Sequence, residues 1–137
     1  MKAESPFDCL KPEAIAALAE DITYAKATKP AHKVIPLAIT AGAFIAIAFV
    51  FYITVTTGSS GMAWGMSKLV GGLCFSLGLI LCVLLGAELF TSTTLTLVAK
   101  AANRISWAQL FKNWGLVYFG NLIGGLIIVA LIIMSAE

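Results

Sequence analysis

Glu88 is the only acidic residue between Asp21 and Glu137, and it is closely followed by the hydroxyls of Thr91, Ser92, Thr93 and Thr94. An ionisable group and a run of hydroxyls inside an apolar stretch form a hydrogen-bonding set, and an ionisable group at membrane depth is a functional candidate by default. Thr91 has two readings. Its hydroxyl hydrogen-bonds an anion or a neutral acid at mid-membrane, or, with Ser92, it caps the helix that follows. The rest of the chain holds no competing chemistry. His32 is the sole histidine, with no carboxylate cluster near it, and Cys9, Cys74 and Cys82 form no C-x-x-C pair. The cysteines read as reduced, small hydrophobes, and no ligand set for a metal is expected. A nucleophile with an adjacent base and a Gly-rich phosphate loop are also lacking, so the expectation is a protein that is not an enzyme and needs no cofactor.

The elements that position these residues follow from composition. The 137 residues are 60% hydrophobic and 12% charged, with a mean hydropathy of +0.96. Ten of the sixteen charged residues lie in positions 1–33. The pattern is a polar head, 1–33, on an all-α integral membrane domain, 34–137. A net charge of +2 on scattered Lys and Arg excludes a nucleic-acid surface. Membrane lipid is the surrounding partner instead.

Val34 to Ser67 are 34 consecutive uncharged residues, enough for a first span at about 35–57. The span starts too far into the chain for a secretory signal peptide, so the head is expected to stay attached. The second segment, about 66–99, would be about 51 Å long as one helix, too long for a single crossing. Gly86 relaxes its backbone and Glu88 is costly in lipid, so the segment is expected to break near 86–92 into two half-helices. Irregular backbone at that depth must be buried in protein or line a cavity. The second half-helix, beginning near Thr93, aims its positive dipole end at the membrane interior. A third span covers about 114–134. Lys26, Lys29 and Lys33 before the first span, with Lys100, Arg104 and Lys112 after the second, place the N-terminus in the cytoplasm and Glu137 on the opposite side. Trp64, Trp107 and Trp114 fall near the span ends, at the headgroup level. In the head, Ile15, Leu18 and Ile22 make the apolar stripe of an amphipathic helix lying against the cytoplasmic side, either as an interfacial or docking helix or as a mobile gate.

Small residues recur on the spans: Ala38, Gly42 and Ala46 on the first, and Gly120-Asn121-Leu122-Ile123-Gly124 on the third. Such faces let helices approach closely, with Asn121 hydrogen-bonding across them.

The chain also resembles the formate channels of the formate/nitrite transporter family. The match takes in Ser5-Pro6-Phe7-Asp8, Tyr24 with Lys26-Ala27-Thr28-Lys29, Leu37-Ala38-Ile39-Thr40-Ala41-Gly42 and Ala48-Phe49-Val50-Phe51-Tyr52. It continues through Lys68-Leu69-Val70-Gly71-Gly72, Cys74-Phe75-Ser76-Leu77-Gly78-Leu79, Gly86-Ala87-Glu88-Leu89-Phe90-Thr91-Ser92, Lys112-Asn113-Trp114 and Tyr118-Phe119-Gly120-Asn121. The resemblance implies an aquaporin-like fold of two inverted repeats, of which these residues match the first, with the second segment broken. It implies homopentamers with one pore per subunit in a bacterial inner membrane. It implies passive or proton-linked passage of formate and other small monovalent anions such as nitrite, hydrosulfide or acetate. By the same resemblance Thr91 is a pore threonine, Phe75 forms the periplasmic constriction, Leu79 narrows the route nearby and Leu89 helps form the cytoplasmic constriction. The family's pore histidine belongs to the second repeat, and the expectation is that conduction needs that complement. Since a carboxylate facing an anion pathway would repel its substrate, Glu88 is expected to point away and to accept hydrogen bonds from the loop's backbone or a neighbouring subunit. The alternative function is a non-conducting membrane scaffold, which has no reason to unwind a helix at membrane depth.

Overall fold

The computed structural model describes residues 9–135. Ser5-Pro6-Phe7-Asp8 and the side on which Glu137 lies fall outside the described residues. Among those described, the chain forms helices α1 (Pro12–Thr28), α2 (Ala31–Thr56), α3 (Trp64–Leu84), α4 (Phe90–Thr93), α5 (Leu97–Ala101) and α6 (Trp107–Ser135). Short 3₁₀ turns occupy Ser59–Gly61 and Thr94–Thr96. Helices α2, α3 and α6 are long and apolar enough to cross a membrane. At 1.5 Å per residue, the 21 residues of α3 reach about 32 Å, one hydrocarbon thickness. The 3₁₀ turn joins α4 to α5 as one short half-helix after the break.

Helix α2 is central, with α6 on one side and α3 on the other. Its close approach to both depends on residues without side-chain bulk. A Cβ at Gly124 would stand 1.9 Å from Ile39 O, and one at Gly42 would stand 2.1 Å from Asn121 O. Both obstacles are backbone, so the α2–α6 distance is set by these glycines. Correspondingly, the buried positions along α2 are Val34, Ala38, Ala41, Gly42 and Ala48. Dispersion and backbone proximity hold such a core, because lipid tails remove the usual hydrophobic drive between helices.

Helix α1 packs on α5, α6 and the Thr94–Thr96 turn. Its apolar stripe is not the contact face. Ile15, Leu18 and Ile22 are 52%, 44% and 49% exposed, while Thr23 and Ala27 are buried. The docking is polar: Asp21 pairs with Arg104 at 2.6 Å, whose guanidinium lies 4.6 Å from the centre of the Tyr24 ring. Trp114 also departs from the expectation of a headgroup anchor. It is partly buried, and its Nε1 donates to Thr96 Oγ1 (2.9 Å) and Thr93 O (3.2 Å), bracing the half-helix from inside. Trp64 and Trp107 are exposed. Cys82 is buried and Cys9 exposed, and all three cysteines are free.

Candidate functional site

The break in the second segment is built to stop a helix quickly and to satisfy its backbone without lipid. Helix α3 ends at Leu84, and Gly86 adopts φ +64°, where a Cβ would be strained. That conformation lets the Ala87 N–H reach Cys82 O at 2.9 Å and the Gly86 N–H reach Val83 O at 3.4 Å, occupying two of the carbonyls left over at the helix end. The Glu88 N–H then donates to Leu37 O of α2 at 3.2 Å. Asn121 of α6 completes the set. Its Nδ2 donates to Ala38 O (2.8 Å) and Glu88 O (2.9 Å), and its Oδ1 accepts from the Phe90 N–H (2.9 Å).

This geometry corrects the capping expectation. The half-helix begins at Phe90, not near Thr93, and neither Thr91 nor Ser92 caps it. Leu89 holds the cap position without a side-chain bond, and the Asn121 amide from another helix serves in its place. Ser92 Oγ turns back to donate to Leu89 O at 2.9 Å and accepts from Lys26 Nζ at 3.4 Å. The Thr91 side chain is exposed, and among the described residues its hydroxyl forms no hydrogen bond.

The Glu88 side chain is 4% exposed and is held by the C-terminal end of α1 and the residue that caps it, rather than by the loop's backbone. Lys26 Nζ lies 2.6 Å from Oε2, and Lys29 Nζ bonds Oε1. In sequence, Lys26 and Lys29 orient the chain and belong to the matched head segment, and neither use pairs them with Glu88. The signal that would have paired them is Glu88 itself, since a lone buried carboxylate requires a cation. Glu88→Gln is expected to loosen α1 by about 1–3 kcal/mol, the worth of charge-assisted hydrogen bonds to partly exposed lysines. Trypsin cleavage after Lys26 should accelerate while the three spans stay inserted, Lys29 being protected by Pro30 in either state; an unchanged cleavage rate would deny the pair that role.

Phe75 and Leu79 lie on one face of α3 and line a groove of about 550 Å³ with Ile80 and Val83. Leu89 lines a different groove, of about 340 Å³, together with Gly42, Phe49 and Asn121. Phe49 links the two regions, its ring edge-on to Phe75 with centroids 4.8 Å apart. Thr91 lines neither groove. Phe90 packs edge-on between Trp114 and Tyr118, fixing the start of the half-helix.

Three membrane-length helices, the second followed by a loop whose backbone is satisfied by the first and third and then by a short helical segment, define a multi-pass membrane protein whose second segment is broken, the construction used at transport sites. The family model for formate/nitrite transporters matches residues 13–137, and the chain belongs to that family. It is 63% identical to the formate channel FocA of Escherichia coli (strain K12), over 100% of this chain and 48% of the relative. It is 53% identical to the formate channel FocA of Haemophilus influenzae, over 87% of this chain and 42% of the relative. Among solved structures, a pentameric formate channel with formate bound is similar with a TM-score of 0.73 and 56% identity, over 78% of this chain and 42% of that one. The chain thus spans about half the length of the curated relatives it matches.

Proposed function

We propose that these residues form the first half of a pore for formate and related small monovalent anions, nitrite, hydrosulfide and acetate among them, in a homopentamer of the bacterial inner membrane with a cytoplasmic N-terminus. Passage is passive or proton-linked and involves no catalysis. The observation that carries this reading is the interrupted helix. Backbone is unwound between Leu84 and Phe90 and held open by bonds from α2 and α6, a construction that a scaffold does not need.

In this reading Thr91 offers an uncommitted hydroxyl to the passing anion or its conjugate acid. The Phe90–Thr93 turn, at the head of the half-helix, contributes positive potential without a fixed charge, so that binding stays weak enough to release. Phe75 helps form the periplasmic constriction, Leu79 narrows the route nearby, and Leu89 helps form the cytoplasmic constriction. Apolar narrowings of this kind exclude hydrated ions by dewetting. Glu88 stays out of the pathway, neutralised by Lys26 and Lys29, and Gly86, Phe90 and Ser92 shape the loop.

The test is formate flux into proteoliposomes by this chain alone, by the chain joined to the second half of a curated relative, and by Thr91→Ala in the joined form. The joined form is expected to conduct, and Thr91→Ala to lower flux about tenfold, the worth of one strong hydrogen bond to the permeant. A joined form that inserts correctly yet passes no small anion would leave the scaffold role instead.

A further inference from the structure

The connection from α1 to α2 folds over the early turns of α6 and borders a pocket of about 170 Å³ with a mixed lining, Ala27–Ala31 and Leu116 together with Gln109, Lys112 and Asn113. Asn113 is only 5% exposed. Its Nδ2 donates to Lys26 O at 3.3 Å, but its Oδ1 has no hydrogen-bond partner among the described residues. A buried carbonyl oxygen without a donor is costly, and none of the side chains lining the pocket donates to this one. Lys29 is bound to Glu88, and Gln109 Oε1 accepts from the Ser106 N–H. Lys112 stands exposed at the rim. The pocket therefore combines one acceptor in need of a donor with a cationic mouth. The complementary ligand is an anion that also carries a hydroxyl.

The level of the pocket narrows the choice. Trp107 and Phe111, on the same early turns of α6, are exposed and stack with centroids 5.8 Å apart. Lys100 Nζ lies 5.2 Å from the centre of the Trp107 ring. Exposed aromatics and lysines at the end of an apolar helix mark the headgroup layer, where basic pockets between helices take lipid phosphates. We propose that this pocket binds the headgroup of an anionic phospholipid bearing a free hydroxyl, of the phosphatidylglycerol type. The phosphodiester oxygens accept from Lys112, and the glycerol hydroxyl donates to Asn113 Oδ1.

The experiment is native mass spectrometry of the full chain in detergent. It is titrated with phosphatidylglycerol, phosphatidylcholine, phosphatidylmethanol (equal charge, no hydroxyl) and soluble glycerol 3-phosphate. Phosphatidylglycerol should bind about tenfold tighter than phosphatidylcholine, and Lys112→Gln should remove about fivefold of that preference, one lysine–phosphate contact. Phosphatidylmethanol should bind about threefold more weakly than phosphatidylglycerol, a difference that disappears in Asn113→Val when the hydroxyl loses its acceptor. Lys112→Gln changes an exposed side chain and decides the matter if Asn113→Val does not fold. Equal binding of the glycerol and choline lipids, or no effect of Lys112→Gln, overturns the proposal and leaves the pocket to water. Binding of glycerol 3-phosphate as tight as that of the lipid overturns the membrane source in favour of a soluble phosphate ester.

Discussion

Asn121→Leu is expected to cost about 3 kcal/mol and to collapse the break between Leu84 and Phe90. The single amide serves three backbone groups on two other segments: Ala38 O, Glu88 O and the Phe90 N–H. Interhelical hydrogen bonds in membranes average only about 0.6 kcal/mol each, because the unfolded helices find other partners. That value applies when the groups can find substitutes. Glu88 O and the Phe90 N–H sit at interrupted helix ends, where no next turn is available, so stranding them costs about 1–3 kcal/mol apiece. Leucine keeps asparagine's branch point and number of heavy atoms, so the three bonds are lost without deleting side-chain atoms. The checks are the thermal midpoint of the purified chain in detergent and amide exchange at Phe90, which should become fast. A protected Phe90 amide in Asn121→Leu would mean that another group holds the loop.

The second large effect is steric. Gly124→Val should lower stability by about 3 kcal/mol, at the upper end of ordinary overpacking, because the added carbons meet Ile39 O and Ala43 N, backbone atoms that cannot swing aside. The α2–α6 pair must part, and Asn121, one turn away on the same interface, would lose its reach to Ala38. Stability loss should therefore come with exposure of the break to exchange. Gly115→Ala is the control: a Cβ there meets nothing within 4 Å, and alanine's better helix propensity predicts a neutral or slightly higher midpoint. Equal destabilisation by both substitutions would place the effect in glycine's backbone freedom rather than in helix approach.

Several features of this architecture were legible in residue order. Three spans follow from uncharged runs longer than a bilayer is thick, and a second segment too long for one crossing must be interrupted. Gly86 and Glu88 mark where, since one permits a positive φ and the other resists lipid. The small residues of α2 and α6, Gly42, Gly120 and Gly124, already point to close packing. These are properties of local sequence measured against a fixed thickness, and they need no knowledge of neighbours.

The partners of the break depended on the tertiary structure. Phe90 and Asn121 are 31 residues apart, and Glu88 and Lys26 are 62 apart, so no period or spacing connects them. Local reasoning gave the cap to Thr91 or Ser92 because their hydroxyls are nearest in sequence. In the fold an amide from α6 occupies the place, which leaves Thr91 uncommitted. The α1 stripe of Ile15, Leu18 and Ile22 is likewise silent on what α1 touches within the fold, since the contact is made by other residues. Apolar periodicity predicts the buried face where water is the alternative environment, whereas here contact is set by a buried carboxylate that must find cations and by small residues that permit approach. With lipid as apolar as the protein's own side chains, hydropathy along the sequence reveals which segments leave water, and backbone proximity and polar pairing decide which of them touch.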